Sequence, residues 1–371
     1  MSSSFYQPHL DGVRALSILL VTIAHGGLGH VVPGGLGVTV FFFISGYLIT
    51  ALLVKEDQRE GRIDLMAFYL RRFWRLMPAL LVYVLAAMAL TLAMGERIRP
   101  IEPVTAVLYL SNYYSQFIGY DMLGAGYSPY NVLWSLAVEE HFYLLFAPLI
   151  AFVRGRRALL SWLAALLVLP VMIRIAVTAW TGAEFSENYN YHCTDTRIDS
   201  IAWGCLLAVL GPWRPQGVKS WQLMALGVAG LLVSLLVRDA YFRQVFRYTL
   251  QGMSLYLILG SLIHSPDMEN WRQLLAGKAL VFIGKISYSM YLYHWLVLIM
   301  LMIYVGPPAL NPLWQTLYWA GTLLAACISY YLIERPTLRL RIRYGSHAPL
   351  TGNAAQYHQR AVKASREPMQ S

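Results

Sequence analysis

Charged residues are scarce in this sequence. Asp, Glu, Lys and Arg make up 13% of its 371 residues, whereas soluble domains carry about 25%. Hydrophobic residues make up 57%, and apolar runs long enough to cross a bilayer recur along the chain. This deficit of charge excludes an ordinary soluble domain. The sequence instead predicts an all-α fold, a polytopic membrane bundle of about ten transmembrane helices.

Cysteines, repeats and targeting signals are equally sparse. The three cysteines, Cys193, Cys205 and Cys327, have neither the spacing of a metal site nor that of a disulfide framework, so no metal is expected. The N-terminus lacks the basic region and cleavage site of a signal peptide, which predicts that the first helix is retained. The chain shows no internal repeat, and this argues against the inverted-repeat transporters.

The loops between the apolar segments differ in charge. Of the 29 basic residues, 21 lie on the side that holds both termini, six lie on the other side, and Arg14 and Arg174 lie within spans. Because basic residues favour cytoplasmic loops, both termini are predicted to be cytoplasmic, and the net charge of +10 does not indicate a nucleic-acid partner. The predicted spans are 12–28, 35–54, 76–94, 132–152, 158–180, 198–211, 221–237, 246–264, 280–304 and 314–334.

The chain is therefore predicted to divide into a cytoplasmic N-terminus (1–10), a transmembrane domain (11–340) and a cytoplasmic tail (341–371). The tail is polar and too short for a second domain, so it is predicted to be disordered. Pro336 follows the tenth span and is predicted to end its helix. Nothing in the sequence predicts an oligomeric state.

Polar residues inside the first span lie on one helix face. Arg14 and His25 are eleven residues apart, almost three helical turns, so their side chains point the same way and lie roughly 16 Å apart. Asp11 lies three residues before Arg14 and is predicted to pair with it. An ionisable group within a membrane helix is costly and indicates a functional site or a buried partner. This face suits an extended anionic donor that is held at Arg14 and reacts at His25.

The second span and the start of the third add donor-binding candidates. Ser45 and Tyr47 interrupt the apolar second span. Arg72 and Arg75 are three residues apart and share one face of an amphipathic helix, and paired guanidinium groups suit phosphate. The alternative for these arginines is a membrane-surface role, in which long basic side chains reach the lipid headgroups.

Two adjacent carboxylates, Glu139 and Glu140, lie inside the apolar fourth span. Acids near a helix start also complement the helix dipole, but the apolar surroundings predict that one of them faces a cavity shared with His25 and orients its ring. Ser135 and Tyr143 lie four residues on either side of Glu139 and form a polar stripe with it. A stripe of this kind faces protein or water, which favours Glu139 over Glu140.

Support for the site is expected from residues farther along the chain. Arg197 and Asp199 lie where the chain enters the sixth span and are predicted to pair with one of the two glutamates across an outer cavity. The structural alternative is a capping box formed by Thr196 and Asp199. The residues predicted to contact substrate or to support the site are Asp11, Trp134, Ser135, Arg197, Asp199, Tyr291 and His294.

Six segments carry most of these residues, in the order LDGVRAL followed by AH, GGLGVTVFFFISGYLI, FYLRRFWRLMPAL, WSLAVEEHFYLL, TDTRIDSIAWG and ISYSMYLYHW. In this order they resemble the acyltransferase 3 family, integral membrane O-acyltransferases that modify sugars of lipopolysaccharide, exopolysaccharide and peptidoglycan, and some macrolides. The resemblance covers about residues 5–340.

The resemblance implies acetyl-CoA as the acyl donor and assigns roles by position. His25 corresponds to the family's essential first-helix histidine, Arg14 to its companion, and Arg72 and Arg75 to its RxxR pair. It also implies a glycan or lipid-linked sugar as acceptor, and a multi-pass location among the lipids of the bacterial inner membrane. Many members carry an additional helix and a soluble SGNH esterase-like domain. This sequence shows neither, so a two-step relay within one polypeptide is not expected.

The predicted function is transfer of an acyl group from cytoplasmic acyl-CoA to a hydroxyl of a cell-surface or exported glycan. His25 would deprotonate that hydroxyl or take the acyl group itself, with Glu139 or Glu140 as its partner. One alternative, from another class, is a transporter or flippase for an anionic or acylated compound. Another is an O-acyltransferase for macrolides or other small molecules.

Overall fold

The structure, a computed structural model, describes residues 6–124, 126–153 and 155–342. Over these residues every regular element is a helix, which confirms the predicted all-α class. The predicted tail beyond residue 342 lies outside the described residues. The α-helices are α1 Pro8–Ile23, α2 Gly34–Glu60, α3 Leu65–Ala93, α4 Ile101–Val107, α5 Ser111–Phe117, α6 Trp134–Phe152, α7 Arg156–Trp180, α8 Ala183–His192, α9 Thr194–Leu210, α10 Ser220–Leu236, α11 Ala240–Val245, α12 Arg247–His264, α13 Glu269–Leu275, α14 Lys278–Tyr304, α15 Pro312–Ser329 and α16 Arg335–Ile342.

The predicted count of about ten spanning helices is not confirmed. Seven helices of the described chain are long and apolar enough to cross a membrane: Pro8–Leu28, Gly34–Glu60, Leu65–Ala93, Asn131–Phe152, Arg156–Trp180, Lys278–Tyr304 and Pro312–Leu338. The other three predicted spans are the helices α9, α10 and α12, which have 17, 17 and 18 residues. At 1.5 Å per residue they reach about 25–27 Å, which is shorter than a hydrocarbon core of about 30 Å.

Two glycines allow α2 and α9 to pack with their backbones almost in contact. A Cβ on Gly204 of α9 would lie 2.8 Å from the backbone nitrogen of Tyr47 on α2, and a Cβ on Gly46 of α2 would collide with the carbonyl oxygen of Ile201 on α9. Small residues drive helix association in membranes because they let backbones approach closely. This contact fixes α2, and therefore Ser45, relative to α9.

A glycine also allows α1 and α14 to pack with their backbones close together. A Cβ on Gly284 of α14 would lie 2.6 Å from the carbonyl carbon of Asp11. At its other end α1 widens into a π-helical turn, Ala24–Leu28, in which Gly27 has a φ of 109°. A side chain rarely tolerates that φ, and π turns inside α-helices occur frequently at functional sites. His25 lies in this turn.

The prediction that Pro336 ends the last helix is wrong. The chain passes from α15 through a second π-helical turn, Tyr330–Glu334, directly into α16. Pro336 is the second residue of α16. A proline is tolerated in the first turn because the backbone N–H groups there have no intrahelical partner to lose.

The close contact of α2 and α9 can be tested by enlarging its glycines. Gly46→Val and Gly204→Val are each expected to lower the melting temperature of the purified protein by several degrees, because overpacking a tight helix contact costs about 1–3 kcal/mol. Gly182→Ala is the control, because nothing lies within 4 Å of a Cβ at that position. A wild-type melting temperature for both valine variants would show that the helices are not in contact there.

Candidate active site

Two histidines from different helices meet in the interior. The Nδ1 atom of His25 lies 3.0 Å from the Nε2 atom of His294 on α14, and the two rings stack with their centroids 5.2 Å apart. Trp295 packs edge-on against His25 at 5.1 Å. His294 has no exposed surface, and its Nδ1 atom lies 3.1 Å from the carbonyl oxygen of Met290. The partner of His25 is therefore an imidazole.

His25 borders a cavity of about 900 Å³. The rest of the lining comes from the α1–α2 and α5–α6 connections and from residues of α1, α2, α5, α6, α8, α10, α11, α12 and α14. The cavity therefore lies at the end of the bundle opposite the start of α1 and opposite α16. Its walls are rich in rings. The rings of the lining include those of His25, Trp134, Tyr191, Tyr248, Tyr291 and Trp295.

The Nε2 atom of His25 is open to this cavity. It has no hydrogen-bond partner among the described residues, and it is absent from the buried, unpartnered atoms of the same part of the chain. His192 also lines the cavity, and its Nδ1 atom lies 2.9 Å from the carbonyl oxygen of Asn188 on its own helix. His25 differs from it because its Nδ1 atom is held by a second imidazole from another helix.

Arg72 and the two glutamates form a separate polar cluster. The guanidinium of Arg72 lies 3.9 Å from the ring centroid of Tyr143, and its charge acts on both Glu139 and Glu140. The Glu139 carboxylate accepts hydrogen bonds from Ser45 at 3.1 Å and from Tyr143 at 3.3 Å. One oxygen of Glu140 is buried without a partner among the described residues.

The glutamates thus occupy a different place from the one expected. Within the described chain, neither Glu139 nor Glu140 lines the cavity of His25 or hydrogen-bonds to its ring. The expectation that one of them orients His25 is therefore wrong. They lie beside Arg72 because α6 turns this face towards α3.

A third acid joins the arginines, and sequence reasoning missed it. The charges of Arg14 and Arg75 both act on Glu334, whose carboxylate accepts a hydrogen bond from Ser289. Arg14 itself donates to Ser287 of α14 at 3.1 Å. The available signal was a carboxylate at the end of an apolar span, but its position next to a proline favoured a simple helix end.

The predicted pair of Asp11 and Arg14 does not form. Asp11 accepts a hydrogen bond from Tyr6 at 2.8 Å, while Arg14 turns to α14. Tyr47 also lies apart from Ser45: its ring packs edge-on against His264 at 6.2 Å. Residues two apart on a helix point about 200° apart, so Ser45 and Tyr47 face different neighbours.

Arg197 and Asp199 do not pair with the glutamates. Asp199 forms a fully buried ion pair with Arg174 of α7 at 2.8 Å. Arg197 is fully buried, donates to the carbonyl of Tyr191 at 2.8 Å, and lies 4.0 Å from the ring centroid of Tyr248. Arg197 therefore supports Tyr191 and Tyr248 in the wall of the cavity, whereas Asp199 joins α9 to α7.

The proposed capping box does not form either. Helix α9 already begins at Thr194, and the hydroxyl of Thr196 donates to the carbonyl oxygens of Tyr189 and Cys193. A capping hydroxyl would instead accept from a backbone N–H.

Trp134 and Tyr291 line the cavity, and Ser135 lies behind Tyr291. The hydroxyls of Tyr291 and Ser135 lie 2.6 Å apart. The Tyr291 hydroxyl also donates to the carbonyl of Val132 at 2.9 Å.

Sequence reasoning missed Tyr248 and Arg247 of the same lining. They lie in a segment whose polar residues carried no motif.

Comparisons with known proteins agree with the resemblance. The family described as an acyltransferase domain matches residues 8–334. The O-acetyltransferase OatA of Staphylococcus aureus (strain NCTC 8325 / PS 47) is 32% identical over 357 residues, covering 91% of this chain. The putative O-acetyltransferase SAS0844 of Staphylococcus aureus (strain MSSA476) is 30% identical over 367 residues, covering 89% of this chain.

The likeness covers only part of these relatives. The matches span 58% of OatA and 57% of SAS0844, so the chain corresponds to less than three fifths of either protein. No solved structure matches the chain.

The two glutamates are expected to differ in their effect on the arginine cluster. The resemblance implies coenzyme A as the acyl carrier, and Glu139→Gln should weaken its binding by about tenfold. The reason is that the Glu139 carboxylate accepts hydrogen bonds from Ser45 and from Tyr143, whose ring lies under Arg72. Glu140→Gln should weaken coenzyme A binding less, because one oxygen of Glu140 has no partner to lose. Isothermal titration of both purified variants measures the affinities, and a larger loss in Glu140→Gln would contradict this order.

Proposed function

The chain belongs to the acyltransferase family that matches its residues 8–334, and on this premise we propose that it is a membrane O-acyltransferase acting on a glycan. It moves an acetyl group from cytoplasmic acetyl-CoA to a hydroxyl of a cell-surface or exported sugar. The observation that carries this proposal is His25, whose Nε2 atom opens into a ring-lined cavity of about 900 Å³. The relatives named O-acetyltransferases support the same class of reaction.

The arginine cluster is the proposed donor site. Arg72 and Arg75 on α3 and Arg14 on α1 supply positive charge for the phosphates of acetyl-CoA, and guanidinium groups suit phosphate because they offer paired donors. The guanidinium of Arg72 lies over the ring of Tyr143, and the charges of Glu139 and Glu140 act on it. The acyl arm then extends along α1, where Arg14 and His25 are separated by roughly 16 Å.

His25 is the proposed base or nucleophile. In direct transfer, its Nε2 atom takes the proton of the acceptor hydroxyl, the hydroxyl oxygen bonds to the acyl carbon, and the carbon–sulfur bond breaks. The thiolate of coenzyme A leaves and receives the proton from Nε2. In two-step transfer the same nitrogen first bonds to the acyl carbon while the carbon–sulfur bond breaks and the thiolate of coenzyme A leaves. The acceptor hydroxyl oxygen then bonds to the acyl carbon, the carbon–nitrogen bond breaks, and the released Nε2 atom takes the hydroxyl proton and passes it to the thiolate.

The cavity is the proposed acceptor site. Its volume lies within the range of small-molecule sites, which is about 300–1,000 Å³. Tyr191, Tyr248 and Trp295 offer flat apolar faces together with polar edges, a combination that suits sugar rings. Because the cavity lies at the end of the bundle away from the start of α1 and from α16, cytoplasmic termini would place the acceptor on the outer side of a bacterial inner membrane.

Transfer can be measured in proteoliposomes with radiolabelled acetyl-CoA and a glycan extract. The wild-type protein should release free coenzyme A and yield labelled glycan. His25→Ala should reduce the rate at least about 100-fold, because acid–base catalysis contributes about 10²–10⁴-fold. The matched control is Ile286→Val, a buried substitution on α14.

Each result in this assay separates the candidate functions. Labelled macrolide instead of glycan would identify a small-molecule acyltransferase. Unchanged acetyl-CoA and unlabelled acceptor would overturn the enzymatic proposal and favour a transporter. Full activity of His25→Ala would remove His25 from the chemistry.

The proposed orientation predicts the labelling of single cysteines. Arg97→Cys, between α3 and α4, should react with a membrane-impermeant maleimide in intact cells, and Arg62→Cys, between α2 and α3, should react only after lysis. Both positions are exposed, and Cys327 is replaced by serine in both variants to remove the native thiol that is not fully buried. The opposite pattern would invert the protein in the membrane.

A further inference from the structure

The hydrogen bonds of His294 determine which of its nitrogens carries the proton. Its Nδ1 atom lies 3.1 Å from the carbonyl oxygen of Met290, four residues earlier on α14. A carbonyl oxygen can only accept a hydrogen bond, so Nδ1 must be the N–H. In a neutral imidazole the other nitrogen is then a lone-pair acceptor. The Nε2 atom of His294 therefore accepts.

The tautomer of His294 in turn determines the tautomer of His25. Its Nδ1 atom lies 3.0 Å from the accepting Nε2 atom of His294, so Nδ1 of His25 must donate and must carry the proton. The Nε2 atom of His25 is then the lone-pair nitrogen. That atom is the one open to the cavity.

This tautomer of His25 requires a neutral His294, and the surroundings of His294 favour the neutral state. Its side chain has no exposed surface. Its described hydrogen-bond partners are a carbonyl oxygen and an imidazole, with no carboxylate. A buried charge without a counter-ion is costly. A doubly protonated His294 would donate from both nitrogens and would force the opposite tautomer on His25.

We propose that His294 is a positioning residue that holds His25 in the Nδ1–H tautomer through the relay from Met290 carbonyl to His294 to His25, and so presents Nε2 as the reacting atom. This inference rests on the proposed acyl transfer at His25. His294 takes the place that a carboxylate occupies beside many catalytic histidines. Because the carbonyl that starts the relay belongs to a helix backbone, the ring of His294 has a fixed anchor.

Two substitutions separate this role from simple packing. His294→Gln keeps an acceptor, because a glutamine amide oxygen can reach the position of the histidine Nε2 atom. His294→Leu keeps bulk but removes the acceptor. We expect His294→Leu to lower kcat at least about tenfold with KM for acetyl-CoA unchanged, and His294→Gln to recover most of kcat. Ile286→Val should behave like the wild type.

Nitrogen-15 NMR of the protein with ring-labelled histidine measures the tautomer of His25 directly and does not depend on enzymatic activity. The His25 signals are those lost from the spectrum of His25→Ala. The wild type and His294→Gln should show a protonated Nδ1 atom and an unprotonated Nε2 atom on His25, and His294→Leu should lose this preference.

Three results would overturn the relay: a protonated Nε2 atom on His25 in the wild type, equal kcat values for the Gln and Leu variants, or a loss expressed only in KM. Failure of the proposed function has a different signature. It would leave the wild type inactive with acetyl-CoA while the NMR spectrum still reported the tautomer.

Discussion

Polar groups carried into a membrane bundle must find partners within the protein, because the hydrocarbon offers none. Helix α1 carries two such groups, and α14 meets both. Arg14 donates to Ser287, and His25 pairs with His294. At the π-helical end of α1 the carbonyl oxygen of Gly26 accepts a hydrogen bond from Gln315 on α15 at 2.7 Å. These contacts fix the rotation and the depth of α1, and the rest of the site is arranged around it.

Helix α1 therefore connects two chemically different regions. At one end, arginines and carboxylates form a charged cluster around Arg72 and Glu334. At the other end, His25 borders a cavity whose lining includes several aromatic rings. Charge at the first region suits phosphates, and rings with polar edges at the second suit sugars. A transferase that takes its donor from one side of a membrane and its acceptor from the other needs this separation, together with a single helix that spans it.

Local sequence patterns predicted the features that depend on helical period. The spacing of Arg14 and His25 placed them on one face, and both contact α14. The polar stripe at Glu139 likewise contacts Ser45 and Tyr143. The helical period alone does not indicate which neighbouring helix a given face will contact. For this reason the sequence predicted that Glu139 lies beside His25, whereas in the structure it lies beside Arg72.

Partners distant in the chain were the main source of error. Asp199 pairs with Arg174, which lies on another helix, and no local signal marks that contact. The role of Glu334 was hidden in the same way, because its arginine neighbours come from α1 and α3. Helix ends were also misjudged: Pro336 begins a helix that it was expected to follow.

The three short helices have a consequence for the surrounding lipid. Helix α10 is about 25 Å long, and it presents large exposed side chains such as Trp221, Leu226 and Leu232 to the bilayer. A bilayer of ordinary thickness can adapt to a spanning helix of this length by thinning beside it, at a cost of fractions of a kcal/mol per Å. Leu235, near the end of α10, lines the cavity. Headgroups drawn inward there would bring a lipid-linked sugar, one form of the proposed acceptor, closer to His25.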